Sequence, residues 1–274
     1  MDQEPASSAA SAQEPARDRE SALYFSRLKE MALSEWKMRE QSTFYGFLWT
    51  LLNPILMFAV LYIVFTKWMG NKTANYPVYL LIGVVQYNFF QMGSTYGLSS
   101  LRRRGSIVQN FVLPKEIIPF SAVLSGAMSY AFEFCVMLVF AVLLGIRPAL
   151  SWLALPVVDA LLVAFIAGLS LFLSVFEARY PDFERIWAIL TNLGFFLTPI
   201  FYTLDVIDPA KRRLLWLFNP MTAVIEMTRQ ILIAGKFPGL LPFGGICLLT
   251  AVLWWAGLVF FRRKERNIGD YLLL

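Results

Sequence analysis

Residues 36–57, WKMREQSTFYGFLWTLLNPILM, join a charged segment to an apolar one without a linker. Lys37 and Arg39 stand at its start, Gly46 and Trp49 at the joint, and Asn53-Pro54 just inside the apolar run. A soluble domain has little use for such a joint. A helix that rests on a membrane surface and then turns into the bilayer needs one. Its basic residues meet the headgroups, and a Trp anchors at the interface.

The rest of the chain agrees with that reading. It has 274 residues, 58% of them hydrophobic and only 16% charged, with a mean hydropathy of +0.58. Soluble domains are less apolar and more charged. A membrane-crossing helix needs about 20 mostly apolar residues. Six segments meet that need, roughly 47–66, 78–98, 120–145, 152–176, 186–203 and 241–261. The predicted fold is an all-α integral membrane protein. It has six transmembrane helices, an N-terminal amphipathic interface helix and a re-entrant helical hairpin before the last span.

Residues 1–19 are polar, rich in Ala, Ser, Glu and Pro, and lack the apolar stretch of a signal peptide. They read as a disordered cytoplasmic tail. The predicted organisation continues with the interface helix at 20–43, the membrane domain at 44–261 and a cytoplasmic tail at 262–274. Cys135 and Cys247 fall inside predicted spans, where thiols behave as small hydrophobes. The absence of histidine excludes His-dependent catalysis and most imidazole metal sites. The net charge of +5 concerns topology rather than nucleic acid, because the basic residues gather at span ends.

Orientation follows from those residues. One side carries Arg27, Lys29, Lys37, Arg39, Arg102, Arg103, Arg104, Lys115, Arg179, Arg185 and the cluster Arg262, Arg263, Lys264 and Arg266. The other carries a smaller and more distant set. Both termini are therefore expected in the cytoplasm.

Four segments outside the spans carry further information. In 20–43, Phe25, Leu28, Ala32 and Trp36 share one helical face. The loop 99–119, SSLRRRGSIVQNFVLPKEIIP, has room for a short helix before Pro114. Its Arg triplet fits topology control, whereas Ile107, Val108, Phe111 and Val112 are apolar residues outside the bilayer and fit docking on a partner. The loop 177–185 reads as a solvated turn. The stretch 204–240 is too apolar for a free loop. Asp208-Pro209 and Asn219-Pro220 each pair an N-cap residue with proline at the first helical position. Two short helices, about 209–218 and 220–234, are expected there, the second ending at Gly235.

Catalytic motifs are missing. The sequence has no GxxxxGK[ST] phosphate loop, no GxSxG and no HExxH. Glu133 and Asp159 are the acids inside spans, where a carboxylate is costly to bury. Aromatic residues make up 16% of the chain. Phe58, Tyr62 and Phe65 follow helical spacing in the first span, with Trp68 beyond. Phe195, Phe196, Phe201 and Tyr202 crowd the outer half of the fifth. Such rings fit either an interfacial belt or a pore lining, where they would grip the C–H faces of sugars without tight binding.

The order of these features resembles a known family. A basic interfacial helix leads into Gly46-Phe47-Leu48-Trp49 and Asn53-Pro54. Six spans follow. A hairpin contains Trp216, Asn219-Pro220 and Glu226-Met227-Thr228-Arg229, and the chain continues to Phe261-Arg262-Arg263-Lys264-Glu265-Arg266. This is similar to the permease subunit of type-2 ABC exporters for cell-surface polysaccharides. It resembles O-antigen permeases most, with capsule and teichoic acid permeases as relatives.

The resemblance implies a homodimer in the bacterial cytoplasmic (inner) membrane, served by two copies of a separate ATPase that binds ATP and Mg. This chain itself would hold no cofactor. The cargo would be a glycan on a polyprenyl diphosphate lipid, met by Lys37 and Arg39. Phe58, Tyr62, Phe65, Trp68, Phe195, Phe196, Phe201 and Tyr202 would line the channel. Arg102, Arg103, Arg104, Ile107, Val108 and Phe111 would couple to the ATPase. Trp216, Asn219, Pro220, Glu226 and Arg229 would form an outer gate. Two other classes, a membrane enzyme and a proton-coupled secondary transporter, would need an acid or His cluster at one face, or internal repeats. The sequence offers neither.

Overall fold

The computed structural model describes residues 6–40, 46–70, 73–111 and 113–271, and its regular structure there is entirely helical. α1 spans Ala6–Glu40. The stretch expected to be a disordered tail is thus helical from Ala6 onward. Alanine is the strongest helix former, and adding turns to an existing helix is far easier than starting one. α1 packs lengthwise on α5 (Ile117–Leu143). Ala32 is fully buried and Leu28 half-buried, while Trp36 stacks on Phe132 with ring centres 6.3 Å apart. Burial, then the nearby Glu116 carboxylate, pushes the Tyr24 phenol up to about 12. The expected apolar face therefore seats on protein, apart from Phe25, which is exposed.

The joint at 41–45 lies outside the described residues. α2 (Gly46–Tyr62) contains Pro54 and continues through Ile63–Trp68 as wider π-helical turns. It lies at the edge of the bundle, and from Leu51 to Trp68 only Pro54 is buried.

α3 (Tyr76–Arg103) is the centre of the molecule and packs on α2, α5, α6 (Leu155–Arg179), α7 (Phe183–Leu197) and α9 (Pro220–Leu232). Leu80, Ile82, Phe89, Leu98 and Leu101 are fully buried on it. α4 (Gly105–Asn110) is the short helix expected before Pro114. α8 (Pro209–Phe218) and α9 form the expected hairpin. Asp208 accepts from the Ala210 amide at 2.9 Å and Asn219 from the Met221 amide at 3.1 Å. Gly235 has φ +63°, which suits glycine just past a helix end. α10 (Leu240–Tyr271) is one continuous helix, so the last span and the expected tail are not separate units. Phe261 and Ile268 in that extension are buried.

Among the described residues four helical stretches, Leu51–Trp68, Ile117–Leu143, Leu150–Arg179 and Leu240–Tyr271, are long and apolar enough to cross a membrane. The expected second and fifth spans differ from these. α3 is long enough, with 28 residues, but carries Gln86, Asn88, Gln91, Ser94 and Thr95. α7 has 15 residues, about 22 Å of helix, against a hydrocarbon core of about 30 Å.

Beyond α7 the backbone leaves the helix from Thr198 to Thr203. Carbonyls freed in this way are tolerated at membrane depth only where protein satisfies them. Arg229 of α9, 4% exposed, takes two of them. Its Nη1 donates to the Pro199 carbonyl at 2.7 Å and its Nη2 to the Ile200 carbonyl at 2.9 Å. Nη2 also reaches the Tyr79 carbonyl at 3.0 Å. Tyr76 and Tyr79 hydroxyls donate to the Phe201 and Tyr202 carbonyls, each at 2.9 Å. Asn219 Nδ2 donates to Thr198 Oγ1 at 2.8 Å. Glu226 balances the charge at 2.6 Å. Gly83 makes the room: a Cβ there would come within 3.0 Å of Arg229 Nη2 and of Ile200 Cγ2.

Arg229→Met is expected to cost about 3 kcal/mol or more, because it orphans several carbonyls and the Glu226 carboxylate. Gly83→Val should destabilise in the same direction by pushing the guanidinium off its acceptors. Thermal unfolding of the detergent-purified protein measures both. Midpoints equal to the unsubstituted protein would show that the clamp is dispensable.

Candidate functional site

α2 and α7 lean against α3 from two sides without closing on each other, leaving a groove of about 740 Å³. α3 supplies its floor. Asn88, Gln91, Met92 and Thr95 recur at helical spacing and lie on one face. α2 adds Asn53, Pro54 and Met57. α7 adds Asn192, Phe195 and Phe196. Carboxamides tie the walls to the floor. Asn53 Nδ2 donates to Asn88 Oδ1 at 3.1 Å, and Gln91 Nε2 to Asn192 Oδ1 at 2.8 Å. Asn88 Nδ2 passes through to Glu133 Oε2 of α5 at 3.3 Å. Glu133, 2% exposed, thus bonds across a helix interface. It also borders an apolar crevice of about 220 Å³ between α2 and α5. Asp159 has a comparable structural partner, accepting from the Tyr130 hydroxyl at 2.7 Å.

The aromatic residues expected to line a channel from the first and fifth spans take four different positions. Phe195 and Phe196 line the groove, Phe195 held edge-on by Tyr87 with ring centres 5.4 Å apart. Phe65 stacks on Phe201 at 4.9 Å, and Phe201 meets Tyr202 at 5.2 Å, so these three close one end of the α2–α7 gap. Phe58 turns the other way, meeting Phe140 of α5 at 5.9 Å and lining the apolar crevice, with Tyr62 stacked on it. Trp68 is 78% exposed at the end of α2. The helical period placed Phe58 and Phe65 about two turns apart, but the widened turns after Tyr62 rotate the later residues relative to the earlier ones.

The basic residues are mostly engaged by the protein itself. Arg39 donates to Ser129 Oγ at 2.7 Å and to the Ser125 carbonyl at 3.0 Å, and its guanidinium lies 4.6 Å from the Tyr96 ring centre. Arg39, expected to meet a lipid diphosphate, thus places donors on α5. Lys37 is exposed. Arg102 bonds Glu177 of α6 at 2.7 Å. Arg103 and Arg104 both hold Glu35 of α1, at 3.4 and 3.3 Å. The Arg triplet, expected to couple to an ATPase, is a staple joining α1, α3 and α6.

In α4, Val108 is 4% exposed and Ile107 is half-buried, both packed inward. Phe111 is 64% exposed. Of the expected coupling residues, Phe111 alone projects an apolar ring outward, because α4 sits against α3 and α10. Val112 lies outside the described residues. Of the residues expected to form the gate, Arg229 is engaged by backbone oxygens and by Glu226. Asn219 and Pro220 begin α9, and Trp216 is half-buried against the core.

Sequence reasoning missed the carboxamide row. Its signal was present: Asn88, Gln91 and Thr95 interrupt an apolar span at i, i+3 and i+7, a spacing that puts them on one face.

A family model described as ABC-2 type transporter matches residues 27–233, from α1 through the end of α9. The chain belongs to the ABC-2 type transporter family. Among curated relatives, it is 28% identical to the O-antigen export system permease protein RfbA of Myxococcus xanthus, with 92% of this chain and 97% of that one covered. It is 29% identical to RfbA of Klebsiella pneumoniae, covering 90% and 95%. It is 23% identical to the polysialic acid transport protein KpsM of Escherichia coli, covering 80% and 86%.

Asn88→Leu removes the link between α2, α3 and α5. It should cost about 1 kcal/mol, the scale of an interhelical hydrogen bond in a bilayer, and loosen α2 first because that helix has so few other contacts. Hydrogen exchange by mass spectrometry should show faster exchange in α2 with α6 unchanged. Equal protection of α2 in both proteins would argue against the latch.

Proposed function

We propose that this chain is the membrane-spanning permease of an ATP-driven exporter of cell-surface polysaccharide of the O-antigen type. The observation that carries the reading is the end-to-end match to O-antigen export permeases. The groove supports it, being lined by the carboxamides and rings that suit a sugar chain. The weaker and shorter match to the polysialic acid transport protein makes capsule export the second reading within the same class.

In this reading two copies of the chain form the conduit, and α2 and α7 border it in each copy. α3 and α7 serve as the second and fifth of six spans, and both termini are cytoplasmic, in the bacterial cytoplasmic membrane. The hairpin α8–α9 lies at the exit as a re-entrant element. Two copies of a separate ATPase subunit bind ATP and Mg and press on α4. The cargo is a polysaccharide on polyprenyl diphosphate, approaching near Lys37.

Two measurements test this. Deleting the gene in its native host should abolish one surface polysaccharide and accumulate its lipid-linked precursor inside the cell. An unchanged surface would remove the export reading. Phe111→Asp leaves the packed residues of α4 alone but removes the exposed ring. Losing an aromatic anchor from an interface costs about 2 kcal/mol or more. Surface polysaccharide should therefore fall sharply at unchanged permease level, and co-purification of the ATPase should weaken. Full export by this variant would mean that the ATPase docks elsewhere.

A further inference from the structure

The groove is polar without being charged. Among its described lining residues, polarity comes from Asn53, Asn88, Gln91, Asn192, Thr95 and Tyr96, and no lining side chain is an acid or a base of the usual ionised kind. The nearest cations stand outside one end of it. The guanidinium groups of Arg39 and Arg103 lie 4.6 and 5.4 Å from the Tyr96 ring centre, and both are bonded to other helices.

A carboxamide presents a donor and an acceptor side by side, so it can serve a hydroxyl in either role. Successive contributors on α3 are about one turn apart, roughly 4.5 Å along the axis for Asn88 and Gln91. They are bonded to the opposite wall at solvent-exposed positions. Exchanging such a bond for one to a sugar hydroxyl changes the free energy little. The row therefore offers many weak, replaceable contacts rather than one deep well.

We infer that the groove selects an uncharged, hydroxyl-rich glycan, reading hydroxyls with Asn53, Asn88, Gln91 and Asn192 and sugar C–H faces with Phe196. The inference rests on the export reading and narrows its substrate class. A carboxylate-bearing sugar in this groove would give up hydration beside apolar walls and find no cation on the lining. A neutral sugar gives up only hydroxyl–water bonds, which the carboxamides replace. Selection thus acts largely by what the groove lacks, which is a way of discriminating by unpaired charge.

The test uses the full chain in lipid nanodiscs with two probes of equal length, maltoheptaose and the heptamer of galacturonic acid, observed by saturation-transfer NMR. Wild-type protein should transfer saturation to maltoheptaose and about fivefold less to the acidic heptamer. The Gln91→Ala/Asn192→Ala variant should lower the maltoheptaose signal by about fivefold. Asn192 is exposed, so Asn192→Arg should fold and should raise the signal of the acidic probe several-fold. Equal transfer to both probes, no transfer to either, or an unchanged maltoheptaose signal in the double variant overturns the inference. Gene deletion in the host separates the two levels. If deletion removes a surface glycan while both probes behave alike, only the selectivity is wrong. If deletion leaves the surface intact, the export reading itself fails.

Discussion

A break in a helix inside a packed bundle leaves backbone carbonyls that must find donors within the protein, and this molecule is organised around meeting that demand. The break follows α7. Arg229 satisfies Pro199 and Ile200 and ties both to Tyr79 of α3. Tyr76 and Tyr79 take the next two carbonyls. One side chain thus connects α9, α3 and the end of α7. A guanidinium suits the task better than an ammonium, because its planar fork reaches several acceptors at fixed angles and stays charged when buried. The cost of burying it is offset by Glu226 and by the Tyr79 ring, which lies 3.3 Å from its carbon. Stopping α7 early has a functional side. A shorter α7 brings Phe65 of α2 against Phe201 just beyond it, which closes one end of the groove and leaves the remainder open.

The clamp fixes α3, α7 and α9, while α2 is held by little. Between Leu51 and Trp68 its tethers include the Asn53–Asn88 bond, the buried Pro54, the Phe58–Phe140 contact with α5 and the Phe65–Phe201 stack. Polar space lies on one side of it and an apolar crevice on the other. A helix so placed can shift at small energetic cost, since few buried contacts must break. The rigid and mobile parts of the site are therefore different helices. A transport path needs that division, with a fixed wall to set chemistry and a movable one to set width.

Much of the architecture was legible in the sequence because local rules governed it. Asp208-Pro209 and Asn219-Pro220 started helices as capping chemistry requires, and Gly235 ended the second. Leu28, Ala32 and Trp36 faced inward as helical spacing predicts. What escaped was set by contacts distant in sequence. Nothing near Arg102 shows that Glu177 will meet it. Nothing near Arg229 shows the carbonyls of 199 and 200. The aromatic residues of α2 were assigned one face on a uniform 3.6-residue period, which the π-helical turns of Ile63–Trp68 then altered. The carboxamide row was readable in principle, but hydropathy asks whether a span is apolar enough and ignores where its exceptions point.

The staples also decide how force from the cytoplasmic end would travel under the export reading. α4 is no free-standing finger. Val108 is buried against the core, and the residues just before α4 anchor it to α1 through Glu35 and to α6 through Glu177. Just after it, Lys115 donates to the Glu265 carbonyl of α10 at 3.1 Å. A push on Phe111 would therefore move this end of the bundle as a unit rather than bend a loop. α3 passes from that stapled end through the carboxamide row to the Arg229 clamp. It is stiff, with most of its residues buried, so motion at one end displaces the groove floor relative to the loosely tethered α2. The Arg residues of the triplet thus set the stiffness of this end of the bundle.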